Sequence, residues 1–308
     1  MKTSAIIRIV IWSIVAVALT GVLLVGLSSG FFEFGGIHLG STFSYADSEH
    51  YLIGGNSIDK SEISEIEINW VAGEVEVLSY EGSEVVFAEQ AGRSLSQEDR
   101  MRFLLRDGKL TIQFSAPRTG FRIFSSTPSK RLEVKVPKEL AGMLSELEVD
   151  AISASVRVQG VSGAKTSIET VSGGIGAADL SGQEIQMETV SGSIKAQNLR
   201  ASELSTETVS GSTNVTGAFH KAQSNSVSGS VLLESSICPE ELEIETVSGA
   251  VRVAIPENDG FTARYNTTGG QFACSFPTTG EKKRAVYKDG GAEFSFSTVS
   301  GVISIEQR

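Results

Sequence analysis

A short phrase, Glu-Thr-Val-Ser-Gly, recurs through the middle of the chain at almost constant spacing, and few folds can absorb such a period. Its valines are Val171, Val190, Val209, Val227 and Val247, in steps of 19, 19, 18 and 20 residues, and Ile152 stands one further step of 19 upstream. Two positions after each valine comes a glycine: Gly173, Gly192, Gly211, Gly229 and Gly249. A period of this length means stacked repeats. Around the phrase the apolar residues keep fixed offsets and alternate with polar ones, as strands do. Four and six positions after it stand pairs such as Ile194 and Ala196, or Val251 and Val253; five and three before it stand Ile185 and Met187, or Leu242 and Ile244. The two sets have opposite parity, so the inward face must switch at the phrase. The pattern predicts a strand, a tight bend where only a small residue fits, and a second strand, with the valines stacked inward from rung to rung. The fold expected is all-β, a single-stranded β-solenoid of about 19-residue rungs.

The regular repeats run over 147–256, within an expected extracytoplasmic solenoid of 57–308. A degenerate copy opens it: Ile66, Ile68, Val71, Gly73, Val75 and Val77 hold the same offsets, with Trp70 where later copies have threonine. A first rung has one face without a neighbour, so 63–78 is expected to be the N-terminal cap, covered by the Trp70 ring. Strands are expected at Glu84 to Ala88, Leu110 to Phe114 and Leu132 to Val136, with Asp107-Gly108 as a turn. Ser96 to Leu105 reads as a short helix with a Ser96 cap. Beyond Val247 the spacing stretches around a hairpin at Lys282 to Gly291. A last copy, Phe294, Phe296, Val299, Gly301, Ile303 and Ile305, then suggests a closing cap at 282–308.

From Ile9 to Leu27 the chain is apolar apart from Ser13 and Thr20, and Lys2 and Arg8 precede it. That length suits a bilayer and exceeds the core of a cleaved signal peptide. Residues 1–28 are therefore expected to be a cytoplasmic stub and a single transmembrane helix, with the basic end inside and the rest outside the cell membrane. The Gly, Ser and Phe content of 29–56 reads as a linker. His38 and His50 fall there beside Asp47 and Glu49, without the close spacing that a zinc site uses.

The net charge of -11 is concentrated in the repeats, where 141–260 hold 16 acidic and 6 basic residues. Nucleic acid is excluded as a partner on this ground. A basic stretch, Arg118, Arg122, Lys130 and Arg131 beside Phe121 and Phe124, is expected to be an exposed loop. The chain has two cysteines, Cys238 and Cys274, which do not share a column and are expected to be unpaired.

The column two before each valine carries Asp150, Glu169, Glu188, Glu207, Asn225 and Glu245. At a rung spacing of about 4.8 Å it would form a ladder of carboxylates. Two such charges repel by only about 0.9 kcal/mol in water, so a solvated face tolerates them. The alternatives are a weak divalent-cation site on Glu169, Glu188 and Glu207, or an acid and base pair of a carbohydrate-cleaving β-helix. Against the cation site, calcium ligands converge from Asp-rich loops, whereas here every rung supplies one acid, mostly the longer Glu; against the enzyme, a catalytic site breaks its repeat locally, while this column is uniform and His220 falls in a turn. No phosphate-binding loop, nucleophile elbow or paired-cysteine metal motif occurs, so no cofactor or catalytic residue is expected.

The segment Glu188-Thr-Val-Ser-Gly-Ser-Ile194 and its copies, behind one N-terminal apolar segment, resemble a bacterial β-strand-repeat family of unknown function named "putative adhesin", which includes LiaG-like envelope-stress proteins. The likeness covers Ile66 to Glu306. It implies a β-solenoid outside a bacterial, Gram-positive cell membrane and no catalytic residues. The function expected is a non-catalytic, membrane-anchored surface module that binds a cell-wall component, a membrane protein or another copy of itself. The alternatives are an envelope-stress regulatory partner acting through the membrane helix and, with less support, a polysaccharide-acting β-helix enzyme.

Overall fold

Along each strand of the repeats, every second side chain is apolar or a threonine, and these residues fill the interior. The computed structural model describes residues 33–34, 37–38, 42–119, 128–161 and 163–308. Most of them are strand, and the longest α-helix among them is the four-residue Lys138–Ala141. The transmembrane segment expected at Ile9 to Leu27 lies outside the described residues. Among those described, no helix is long and apolar enough to cross a membrane. The chain forms two compact units that divide between Gly176 and Ala177.

In the unit from Ala177 onward the rungs pair in parallel at equal offsets from the phrase. Ile185 lies beside Leu204, Leu204 beside Ala222, Ala222 beside Leu242 and Leu242 beside Phe294, and all are buried. The parity switch predicted at the phrase is present, but the valine is on the other side of it from the one expected. Val190, Val209, Val227 and Val247 are half-exposed. The interior column at the bend is the residue before: Thr189, Thr208, Ser226, Thr246 and Thr298 are each at most 5% exposed. The strand runs on through the valine and turns only at Ser-Gly, so the inward parity set by Ile185 and Met187 reaches the threonine first.

In four of the copies the glycine two after the valine is required by contact as well as by conformation. Gly211, Gly229, Gly249 and Gly301 have φ between 142° and 152°. A Cβ on any of them would sit inside the van der Waals radius of the preceding rung's glycine carbonyl. The opposite corner turns on Asp179 and Asn198 in the left-handed region, φ 57° and 54°, where the Asn198 amide donates to Asp179 at 2.7 Å.

The final rung does not close this unit. Ala292–Ser300 and Val302–Gln307 lie between the rung of Glu241–Ser248 and Val251–Ile255 on one side and that of Gly260–Thr267 and Gln271–Cys274 on the other. The expected cap at 282–308 is therefore an interior rung. It keeps the repeat pattern because it needs neighbours on both faces. The end is made by the less regular 260–274 rung and the antiparallel strand Arg284–Lys288. There Phe261 packs on Phe276, Tyr287 and Phe294 with ring centroids 5.0–5.5 Å apart.

The unit ending at Gly176 repeats this arrangement. Glu65–Tyr80, the expected N-terminal cap, is sandwiched between Leu144–Gln159 on one side and Lys109–Gln113 with Lys130–Pro137 on the other. Trp70 is accordingly fully buried, edge-on to Phe114 at 4.9 Å. The capping is done by antiparallel strands. Arg102–Arg106 and then Leu52–Ile53 extend one side; Glu84–Ala91 and then Asn56–Asp59 extend the other. The stretch read as a linker, 29–56, thus supplies the edge strand Leu52–Ile53 and the first residue of Asn56–Asp59. The helix expected at Ser96 to Leu105 is a turn followed by strand Arg102–Arg106, because Met101 and Phe103 alternate into the core and Asp107-Gly108, with φ 52° and 83°, closes a tight hairpin.

The hydroxyls of Thr208, Ser226, Thr246 and Thr298 are buried with no partner in the protein, each at a cost of about 1–3 kcal/mol. Thr206, by contrast, donates to Ser224 at 2.9 Å. Thr246→Val should leave stability unchanged or raise it by up to ~1 kcal/mol, whereas Thr206→Val, which orphans a buried hydroxyl, should lower it by about 1–3 kcal/mol. Urea denaturation of both variants checks this, and a loss of stability in Thr246→Val would show that its hydroxyl is satisfied.

Candidate functional site

Beyond the core, alternation in the paired strands Glu65–Tyr80 and Lys109–Gln113 of the N-terminal unit points a second set of side chains outward. Ile66, Ile68, Leu110 and Ile112 are buried to within 1%, so Glu65, Glu67, Lys109, Thr111 and Gln113 take the other face, with Glu65 opposite Lys109 and Glu67 opposite Thr111. The hairpin residues Leu104 and Arg106 and the segment Ser44–Asp47 with Tyr51 enclose that face in a cleft of about 690 Å3, within the range of about 300–1,000 Å3 usual for ligand sites.

Each wall is held. Tyr45 donates its hydroxyl to the Ser115 carbonyl at 3.0 Å and packs edge-on to the buried Phe43 at 5.7 Å. Tyr51 leans on Tyr45 with centroids 4.7 Å apart. Burial pushes the Tyr45 hydroxyl up to about 12, and burial also raises Tyr51, so both are protonated donors at neutral pH. Arg106 ties Asp47 at 2.5 Å and holds its carboxyl below the usual range. Lys109 reaches Glu67 at 2.6 Å. Burial works against the Lys109 ammonium, but the hydrogen bond and charge of Glu67 outweigh it and raise its pKa. Glu67 also accepts from Asn69 at 2.6 Å. Gln113, only 3% exposed, leaves its Oε1 without a partner.

Behind the cleft stands Lys130, fully buried. Its ammonium bonds Glu89 at 2.7 Å, the Asp99 carbonyl at 2.8 Å and the Phe114 carbonyl, and lies 4.0 Å from the Phe114 ring centroid and 4.9 Å from that of Trp70. Burial lowers its pKa, against the pull of Glu89. The lysine pins the 99 and 114 segments, next to the Ser115 carbonyl that anchors Tyr45. The basic loop expected here is therefore not a free cationic surface: Lys130 is interior, Arg118 pairs with Asp99 at 2.5 Å and Arg131 with Glu76. Arg122, Phe121 and Phe124 lie outside the described residues.

The acid column is interior at Asp150, which is 2% exposed and in register with the buried Asn69, whereas its neighbour Glu169 is half-buried. In the second unit Glu188 lies beside Glu207, Glu207 beside Asn225 and Asn225 beside Glu245. Gln186 donates to Glu188 at 2.5 Å and Asn225 to Glu207 at 3.0 Å. Burial raises the pKa of Glu188, and Glu207 adds to it against the Gln186 hydrogen bond; burial likewise raises Glu245. Among the described residues, three metal-ligating side chains converge at Asp47, Glu49 and His50, all exposed, with Asp47 already paired. His220 is exposed, on strand Thr213–Ser228 and not in a turn, 3.6 Å from Glu240. Cys238 and Cys274 are free thiols, and burial pushes Cys238 up to about 11.

The cleft residues Tyr45, Tyr51, Arg106 and Gln113 are absent from the sequence reading. The signal that could have found them is a pair of tyrosines in a stretch otherwise suited to a linker, together with long polar side chains at the outward positions of 109–113.

A carboxyl whose folded pKa is raised favours the folded state most at low pH, and that contribution is lost as pH rises from the unfolded value of 4.5 through the folded one. Glu188→Gln, which does not titrate, should therefore become progressively more stable relative to the parent as pH rises from below 4.5 to neutral. Urea midpoints across that range test it; a constant difference would mean that Glu188 is solvated as in the unfolded chain.

A family model described as Toastrack DUF4097 matches residues 57–306. No curated protein matches the chain. Among solved structures it is similar to a "putative adhesin" from Bacteroides fragilis NCTC 9343, at 8% identity and TM-score 0.45, over 82% of this chain and 97% of that one. It is similar also to a "putative lipid binding protein" from Parabacteroides distasonis ATCC 8503, at 16% identity and TM-score 0.47, over 82% and 95%. A third is a "putative cell adhesion protein" from Clostridium sporogenes ATCC 15579, at 13% identity and TM-score 0.27, over 84% and 100%.

Proposed function

The chain belongs to the Toastrack DUF4097 family, and from that premise we propose that it is a non-catalytic binding module, held at the cell membrane by its N-terminal apolar segment and displayed outside the cell. The observation that carries this reading is the way the outward acids are used. Glu188 and Glu207 are engaged by Gln186 and Asn225 of the same face, and Glu67 and Asp47 are engaged by Lys109 and Arg106. A hydrolytic pair would need one free carboxyl acid facing a second carboxylate across the bond to be broken.

The apolar run of Ile9 to Leu27 with Lys2 and Arg8 before it supports a single-pass anchor whose basic end faces the cytoplasm. The partner in this reading is a wall component or another surface protein, met by the N-terminal unit's cleft.

Two measurements test the proposal. Deleting residues 1–28 should move the protein from the membrane fraction to the soluble one, and an unchanged membrane fraction would remove the anchor. Incubation with isolated envelope polysaccharide should release no new reducing ends. Turnover that disappears in Glu188→Gln would make the chain an enzyme and sink the reading.

A further inference from the structure

The interior of the unit ending at Gly176 is left open where its edge strands lie. Leu52 stands opposite Phe103 in the antiparallel pair of Leu52–Ile53 with Arg102–Arg106, and residues directly opposite share a face. Phe103 is 5% exposed and packs on Phe87 with centroids 4.9 Å apart, yet Leu52 is 60% exposed. Leu52 has the parity of a core residue without the cover of one. Leu105, two residues beyond Phe103 and so on the same face, is half-buried. From the facing strands Ile58, opposite the fully buried Val85, points into the same space. These side chains floor a second cleft, of about 590 Å3, on the other face of strand Arg102–Arg106 from the cleft lined by Arg106, Tyr45 and Tyr51.

The rim is open backbone and carboxylate. The Lys60 N–H donates to the Ser83 carbonyl, which fixes the alternation of strand Asn56–Asp59: Asn56 and Ile58 bond Glu84–Ala91, and the N–H and C=O of Ser57 and Asp59 face away from it. Among the described residues no backbone group bonds them from the other side. Asp59, Glu62 and Glu84 stand around this edge, and the described lining holds no lysine or arginine. Asp59 and Glu84 are directly opposite in register, which costs stability between like charges. Neighbouring Lys60 does not relieve it, since its ammonium is paired with Glu139.

We propose that this second cleft receives an extended, cationic segment of another protein, which pairs with the open edge of Asn56–Asp59, places an apolar side chain against Leu52 and Ile58 and sets lysine or arginine beside Asp59 and Glu84. Strand alternation makes the two demands compatible. A segment in register with Ser57 and Asp59 turns alternate residues outward beside the carboxylates and the residues between them inward to the apolar floor. The apolar contact supplies affinity and the charges supply selectivity. The same carboxylates disfavour the anionic surface of a lipid bilayer, and the net charge of -11 disfavours a second copy of the chain.

The site rests on the proposed binding role and adds a class of partner to it. The full chain in phosphatidylcholine nanodiscs would be titrated into fluorescently labelled acetyl-Lys-Leu-Lys-Leu-Lys-amide and followed by anisotropy against empty nanodiscs, with Glu-Leu-Glu-Leu-Glu and Lys-Ser-Lys-Ser-Lys as control peptides. The expected result is saturable binding of the first, about tenfold or more tighter than of either control, weakened about tenfold in Leu52→Ser and in the double variant Glu62→Gln with Glu84→Gln, and unchanged in Glu188→Gln. The substituted cleft side chains are exposed, so the fold should hold, and melting curves check it. N-methylation of alternate peptide residues should abolish binding in one phase and spare it in the other, as pairing along one strand edge requires. No binding, equal binding of either control, binding that the cleft variants leave intact, equal effects of the two methylation phases, or self-association of the chain that Leu52→Ser abolishes overturns the proposal. Retention on isolated envelopes, measured beside it, separates the two levels. Retention without peptide binding rejects this site and leaves the binding module; neither retention nor peptide binding rejects both.

Discussion

Adjacent rungs approach so closely at their bends that the carbonyl of one occupies the space a Cβ would need on the next, as at Gly229 against Gly211 and Gly249 against Gly229. Everything regular in the repeats follows from that approach. It fixes the register, because sliding one rung by a residue would bring a side chain to the contact and turn the inward set outward. It keeps like beside like, so that Ile185, Leu204, Ala222, Leu242 and Phe294 form one apolar column and the half-exposed valines another.

The same rule that builds an apolar column builds a polar one where threonine stands at an inward offset. Thr208, Ser226, Thr246 and Thr298 carry buried hydroxyls that the protein does not satisfy. The position demands a β-branched or small residue at the entrance to the bend, and threonine meets the steric demand while leaving its hydroxyl unpaired. Stability is given up there to hold the shape of the turn.

A repeat that makes every rung alike is poor at making a site, because a site needs unlike groups facing one another. Unlike groups meet where the pattern fails. In the unit ending at Gly176, antiparallel strands and the 44–51 segment are added against the last parallel strand, and their side chains meet Glu67, Thr111 and Gln113 across a cleft. Lys130 secures that addition: a cation buried over two aromatic rings and bonded to Glu89 and two carbonyls draws three separate segments together. Arg118 and Arg131, which look like a basic patch in the sequence, are spent on local carboxylates.

The period, the parity switch, the need for glycine and the all-β class were all legible in the sequence, since each is a consequence of side-chain volume along one strand and its identical neighbour. So was the Asp107-Gly108 turn. Three things were decided only by tertiary structure. The valine and threonine of each phrase exchanged roles, because the exact residue at which a strand stops is set by contact with the next rung. The first and last copies became interior rungs, because a copy that keeps the pattern is stabilised most with a neighbour on each face, and chain order does not say which neighbour. The cleft took its tyrosines from a stretch whose composition suits a linker, because edge strands of two residues such as Leu52–Ile53 have no period to detect and are ordered only by the sheet they join.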